Sequence, residues 1–195
     1  MILCGLMLVD TVTGTLNLIL QLSTLALLIM SASNQVLAPR LAEFYRNQSD
    51  NKFFETVKFS ILVGVLTAAV FLVFVVSSGD WLLRLFSEDI PLEAHTSLIV
   101  LAVGQLINAT TGPIGFALAM ADREKIVASV EWISSLILIP ILAFVIPSFG
   151  LFGTCCAISF IIVFRNLCLT ALAYQKMRFH TSIFVLYKHP TMIKP

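Results

Sequence analysis

In the largely apolar run SFIIVFRNLCLTAL, residues 159–172, a guanidinium and an amide, Arg165 and Asn166, stand side by side near the middle. A charge at the centre of a membrane helix costs on the order of 2.5–3.5 kcal/mol, so the side chain must face protein or water rather than lipid. Three chemistries fit it. Glu131 lies on the preceding apolar run at a depth that differs by about 6 Å, within reach of a long side chain, so the two can form an ion pair. Alternatively, the guanidinium faces a cavity and meets an anionic substrate, its forked donors gripping two oxygens at once. In the third case it snorkels to the interface. The residues alone leave these alternatives open.

A second group of polar residues has a spacing of its own. Thr13, Asn17, Gln21, Thr24, Ser31 and Gln35 recur at intervals of three, four and seven, which at 100° per residue puts all six within about 80° of arc. A dry interface would struggle to satisfy six polar groups, so a water-filled cleft is the better account of this stripe, with Asn17, Gln21 and Thr24 lining it. Gln105, Asn108, Gly112, Gly115 and Ala119 share a face on a later run, where Pro113 interrupts the backbone ladder. Small and amide side chains also glue membrane helices together, so Gln105 and Asn108 are either cleft residues or packing residues. Gly112, Pro113 and Gly115 are hinge candidates.

Catalysis has no comparable signature. No nucleophile and base converge at membrane depth, no Gly-rich phosphate loop is present, and no metal-ligand spacing occurs. No enzyme activity, catalytic residue, metal or cofactor is expected. Cys4, Cys155, Cys156 and Cys168 all fall inside apolar runs and read as small packing residues. Net charge is +1, so no basic field points to nucleic acid.

The elements that must position these residues follow from composition. Of 195 residues, 58% are hydrophobic and 12% charged, whereas soluble domains run near one-quarter charged. Five apolar runs, 12–37, 59–77, 98–121, 126–146 and 151–174, reach or approach the ~20 residues a helix needs to cross ~30 Å of hydrocarbon. A shorter run, 2–9, reads as the tail of a clipped first helix, because it lacks the basic flank and cleavage site of a signal peptide. Arg40, Arg46, Lys52 and Lys58, then Arg123 and Lys125, then Lys176, Arg178, Lys188 and Lys194 fall on one side of a five-span chain. The other side has Arg84 alone, and this bias makes the first side cytoplasmic.

Between the striped run and the next lies NQVLAPRLAEFYRNQSD, followed in order by WLLRLFSEDI, LAVGQLINATTGPIGFALAMADREK, IPSFGLFGTCCAISF and RNLCLTALAYQKMRFHTSIF. This series resembles the second lobe of bacterial polysaccharide flippases, the O-antigen and capsule type of lipid-linked oligosaccharide transporters in the MATE-like superfamily. The resemblance runs from the start of the chain to about Phe184. It implies an all-α integral membrane fold, residues 1–184 forming one lobe of a two-lobed transporter of the bacterial inner (plasma) membrane, with 185–195 as a cytoplasmic tail. It also implies an undecaprenyl-pyrophosphate-linked oligosaccharide as substrate, membrane lipid around its polyprenyl tail, and an N-terminal lobe or second subunit as partner. Arg165 and Asn166 then join Asn17, Gln21, Thr24, Gln105 and Asn108 as cleft candidates. An ion-coupled multidrug exporter of the same superfamily is the alternative, with Asp10 or Glu131 as the coupling carboxylate; a membrane fragment that transports nothing is another.

Three local expectations complete the reading. Pro39 is expected to end the striped helix at the membrane surface, where a missing N–H is harmless. Arg40 and Glu43, three apart, share a face and can pair. Trp81, beside Leu82, Leu83 and Arg84, reads as part of an interfacial aromatic belt.

Overall fold

A computed structural model describes residues 10–47, 50–86, 90–120 and 123–177, and every regular element among them is a helix. The expected clipped helix 2–9, Cys4 and the tail 185–195 lie outside the described residues. Helix α1 is Asp10–Arg46, α2 is Asp50–Arg84, α3 is Ala94–Thr110 and α4 is Ile114–Met120. The helical stretch Glu124–Met177 is two helices joined at Gly150; these are α5, residues 124–149, and α6, residues 151–177.

Three stretches, Val12–Arg40, Lys52–Arg84 and Glu124–Gln175, are long and apolar enough to cross a membrane. The last of these doubles back on itself. Glu131 and Arg165 are 34 residues apart in the chain, about 51 Å along an unbroken helix, yet their side chains approach to 3.1 Å. The reversal is at Gly150, whose φ of 55° and ψ of −139° lie where a Cβ is strained. Nothing else crowds that position, so the glycine is needed for its backbone and not for space. We expect Gly150→Val to destabilise the hairpin by about 1–3 kcal/mol, seen as a lower melting temperature in detergent. Gly14→Ala, at an equally open helical site, should melt no lower than the unsubstituted protein, because alanine is favoured over glycine inside a helix by about 0.5–1 kcal/mol. Equal melting of the two variants would remove the strained turn from this account.

Two helix boundaries differ from expectation. Pro39 lies inside α1 and does not end it. The proline leaves the carbonyl four residues back, at Gln35, without its ladder donor, but Gln35 and Pro39 are both exposed, so the helix runs on at small cost. The expected run 98–121 is divided, with α3 and α4 separated at 111–113 and Gly112 at a φ of 69°. Pro113 supplies no N–H to continue α3, and the chain restarts when Ala117 N–H donates to Pro113 O at 2.9 Å. Trp81 falls in the last turns of α2 with its side chain exposed.

Packing follows a lipid-solvent logic. On α2, Leu62, Leu66, Val70 and Val73 form an exposed apolar face, and on α5 Trp132, Leu136 and Ile139 form another. Such contiguous apolar faces suit hydrocarbon and not water. The main core gathers Leu16, Ile19 and Leu22 of α1, Val75 and Leu83 of α2, Leu98 and Leu101 of α3, Ile146 of α5 and Cys155 of α6. Lipid tails are as apolar as leucine, so close packing and polar contacts between helices must supply much of the association energy. One such contact closes the α2–α3 connection. His95 Nε2 donates to Val75 O at 3.0 Å, and Nδ1 lies 3.3 Å from Asp80 Oδ2.

Candidate functional site

Adjacent residues on a helix point about 100° apart, so Arg165 and Asn166 face two different neighbours of α6. Arg165 turns to α5, where Nη1 donates to Glu131 Oε2 at 3.1 Å. Of the three chemistries open for this cation, the carboxylate pair is the one formed. The pair sits at an edge of the hairpin, with side chains 31% and 47% exposed for Arg165 and Glu131. Among the described residues no ion pair joins Arg40 to Glu43.

Asn166 turns to α3. Its Nδ2 donates to Asn108 Oδ1 at 2.7 Å and to Ile162 O at 2.8 Å, and Asn108 Nδ2 donates to Gln105 Oε1 at 3.2 Å. All three amides are buried. They form one chain of hydrogen bonds that cross-links α3 to α6, as polar groups do between membrane helices. The structure thus brings Gln105, Asn108 and Asn166 together in packed interior, and not on an open wall.

Asn17, Gln21, Thr24 and Gln35 of α1 have the opposite fate and are exposed. Thr24 satisfies its hydroxyl internally, donating to Gln21 O at 2.7 Å; the amides of Asn17 and Gln21 point outward from the helix bundle. Thr13 and Ser31 are partly covered. The stripe and the buried amide chain are therefore separate features. Gly112 and Pro113 are buried at the break between α3 and α4, and Gly115 lies within α4. A surface depression of about 640 Å³ beside the hairpin turn, lined by Glu93, Thr96, Ser148 and Phe149 among others, contains none of the cleft candidates.

Two interhelical contacts escaped the sequence reading. Ser60 Oγ of α2 donates to Asn34 Oδ1 of α1 at 2.6 Å, fully buried. Asn34 sits beside Gln35 but off the stripe, and that offset was the available signal. Gly104 of α3 lies against Ser159 of α6, close enough that a Cβ there would stand 2.9 Å from Ser159 Oγ. Ser159 Oγ in turn donates to Val100 O at 3.1 Å. Its signal was a small residue one position before Gln105, on a run already noted for small residues.

Comparison with family models, with curated proteins and with solved structures returned no match.

Proposed function

We propose that this chain is one wall of a membrane transporter, with the polar stripe of α1 facing a hydrated cleft. The observation that carries this reading is the exposure of Asn17, Gln21, Thr24 and Gln35 on an otherwise apolar helix of spanning length. Unpaired amides in contact with hydrocarbon are costly, so the stripe calls for water or a polar partner. The facing wall comes from a second membrane unit, an N-terminal lobe or another subunit. The resemblance of the motif series to polysaccharide flippases supplies the substrate class, a lipid-linked oligosaccharide whose sugar head crosses in the cleft while its polyprenyl tail stays in lipid. The break at 111–113 supports relative movement of α3 and α4, as alternating access requires. Gln105, Asn108 and Asn166 serve this function by holding α3 to α6, and Arg165 by holding α6 to α5.

Cysteine accessibility in bilayers tests the cleft. In a background without native cysteines, Asn17→Cys and Gln21→Cys should react with charged, water-soluble thiol reagents, and lipid-linked oligosaccharide should slow the reaction. Ile29 and Val36 are also exposed on the bundle surface but face hydrocarbon in this reading, where a thiol does not ionise, so Ile29→Cys and Val36→Cys should stay unlabelled. Protection at all four positions would remove the hydrated cleft, and labelling indifferent to the oligosaccharide would remove the substrate.

A further inference from the structure

Among the described residues, two buried polar atoms within the α5–α6 hairpin have no hydrogen-bond partner, Ser134 Oγ and Arg165 Nε. They are at the same level. Ser134 precedes Gly150 by 16 positions and Arg165 follows it by 15, so their backbones stand opposite each other across the hairpin. Glu131 is three residues before Ser134, on the neighbouring position of the same helix face, and it already holds the guanidinium through Oε2. Ser134 is only 2% exposed, and a buried hydroxyl or N–H without a partner loses the full strength of its bonds to water. The two orphans are complementary, because Nε–H only donates and the hydroxyl can accept.

We propose that one water molecule sits between these groups, accepting from Arg165 Nε–H and donating to Ser134 Oγ and to the Glu131 carboxylate. Three polar partners are what a buried water ordinarily has. A negatively charged oxyanion is a poor alternative occupant, since it would be pressed against the Glu131 carboxylate in a medium of low dielectric. The water turns a single-bonded ion pair into a three-residue network, and it lets the guanidinium use both Nη1 and Nε inside the hairpin. This site is separate from the α1 stripe and stands whether or not the stripe lines a cleft.

Solid-state NMR of the arginine-labelled protein in bilayers tests it, with the Nε signal of Arg165 assigned through its own backbone amide. Magnetisation should pass from water protons to Arg165 Nε–H at short mixing times, while the backbone amides of Phe164 and Leu167 receive none. Ser134→Ala removes one of the three partners and should lower the transfer roughly tenfold, the worth of one hydrogen bond in occupancy, with the helical circular dichroism unchanged. No transfer in the unsubstituted protein would mean that the space between Ser134 and Arg165 is dry, and would overturn the proposal. Transfer unaffected by Ser134→Ala would also overturn it, because the water would then lie elsewhere.

Discussion

Arg165→Leu and Glu131→Leu each lower the abundance of the protein in the membrane, and the double variant restores it. The expected size follows from what each single change leaves behind. An unpaired carboxylate or guanidinium at membrane depth costs on the order of 2.5–3.5 kcal/mol, which shifts a folding equilibrium by roughly a hundredfold or more. Both side chains are partly exposed, and the stranded group recovers some of this cost by reaching toward the interface. The effect therefore falls at the lower end of the range. Replacing both charges with leucine removes the penalty together with the pair, because apolar substitutes of similar volume are commonly as stable as the ion pair they replace. Membrane abundance and melting temperature of the three variants are the measurement. If the Arg165 single variant remains abundant while transport by the complete assembly disappears, the arginine acts on substrate and the structural pairing is not its function.

The pairing was legible in the residues as one of three open alternatives, and its limits are instructive. A cation in an apolar run demands a partner, and depth arithmetic along two consecutive helices pointed to Glu131. What depth cannot provide is rotation. Whether Asn166, one residue on, looks into a cleft or into a neighbouring helix depends on where α3 packs, and that is set by contacts distant in sequence such as the one between Gly104 and Ser159. The same limitation applied to Gln105 and Asn108. Their face was visible from spacing, but an amide face reads identically whether it is closed by Asn166 or by water.

Helix ends failed for a different reason. Apolar runs report the part of a helix that lies in lipid, and helices continue beyond it wherever the backbone can keep its ladder. Thus α1 runs past Pro39 to Arg46 and α2 extends from Asp50 to Arg84, both through charged residues that hydropathy counts as connection. The break after Thr110 shows the converse. Residues 98–121 carry no charge and are long enough to span, yet Gly112 and Pro113 together end one helix and begin another. A flexible position followed by a missing donor outweighs the hydrophobic pattern.

The close approach of α3 to α6 gives the second large effect. At Gly104 a Cβ would meet Ser159 Oγ at 2.9 Å, Ser159 Cβ at 3.0 Å and Ser159 Cα at 3.4 Å. The hydroxyl could rotate away, but it would give up its bond to Val100 O, and the two carbon atoms can yield only if the helices separate. Helix separation also strains the amide chain, because Asn166 and Asn108 hold the same two helices at 2.7 Å. Gly104→Val should therefore cost about 1–3 kcal/mol from overpacking, and more where it breaks the Asn166–Asn108 bond, with loss of protein from the membrane as the readout. Compensation separates this account from a generic dislike of valine. With Ser159→Gly in the same chain the two nearest atoms are gone and only the backbone carbon of residue 159 remains close, so the milder Gly104→Ala change should be destabilising alone and largely tolerated in the double variant. If Gly104→Ala lowers the melting temperature by as much in the Ser159→Gly background as in the unsubstituted protein, α3 and α6 do not approach at this point, and the amide chain joining them is held by some other packing.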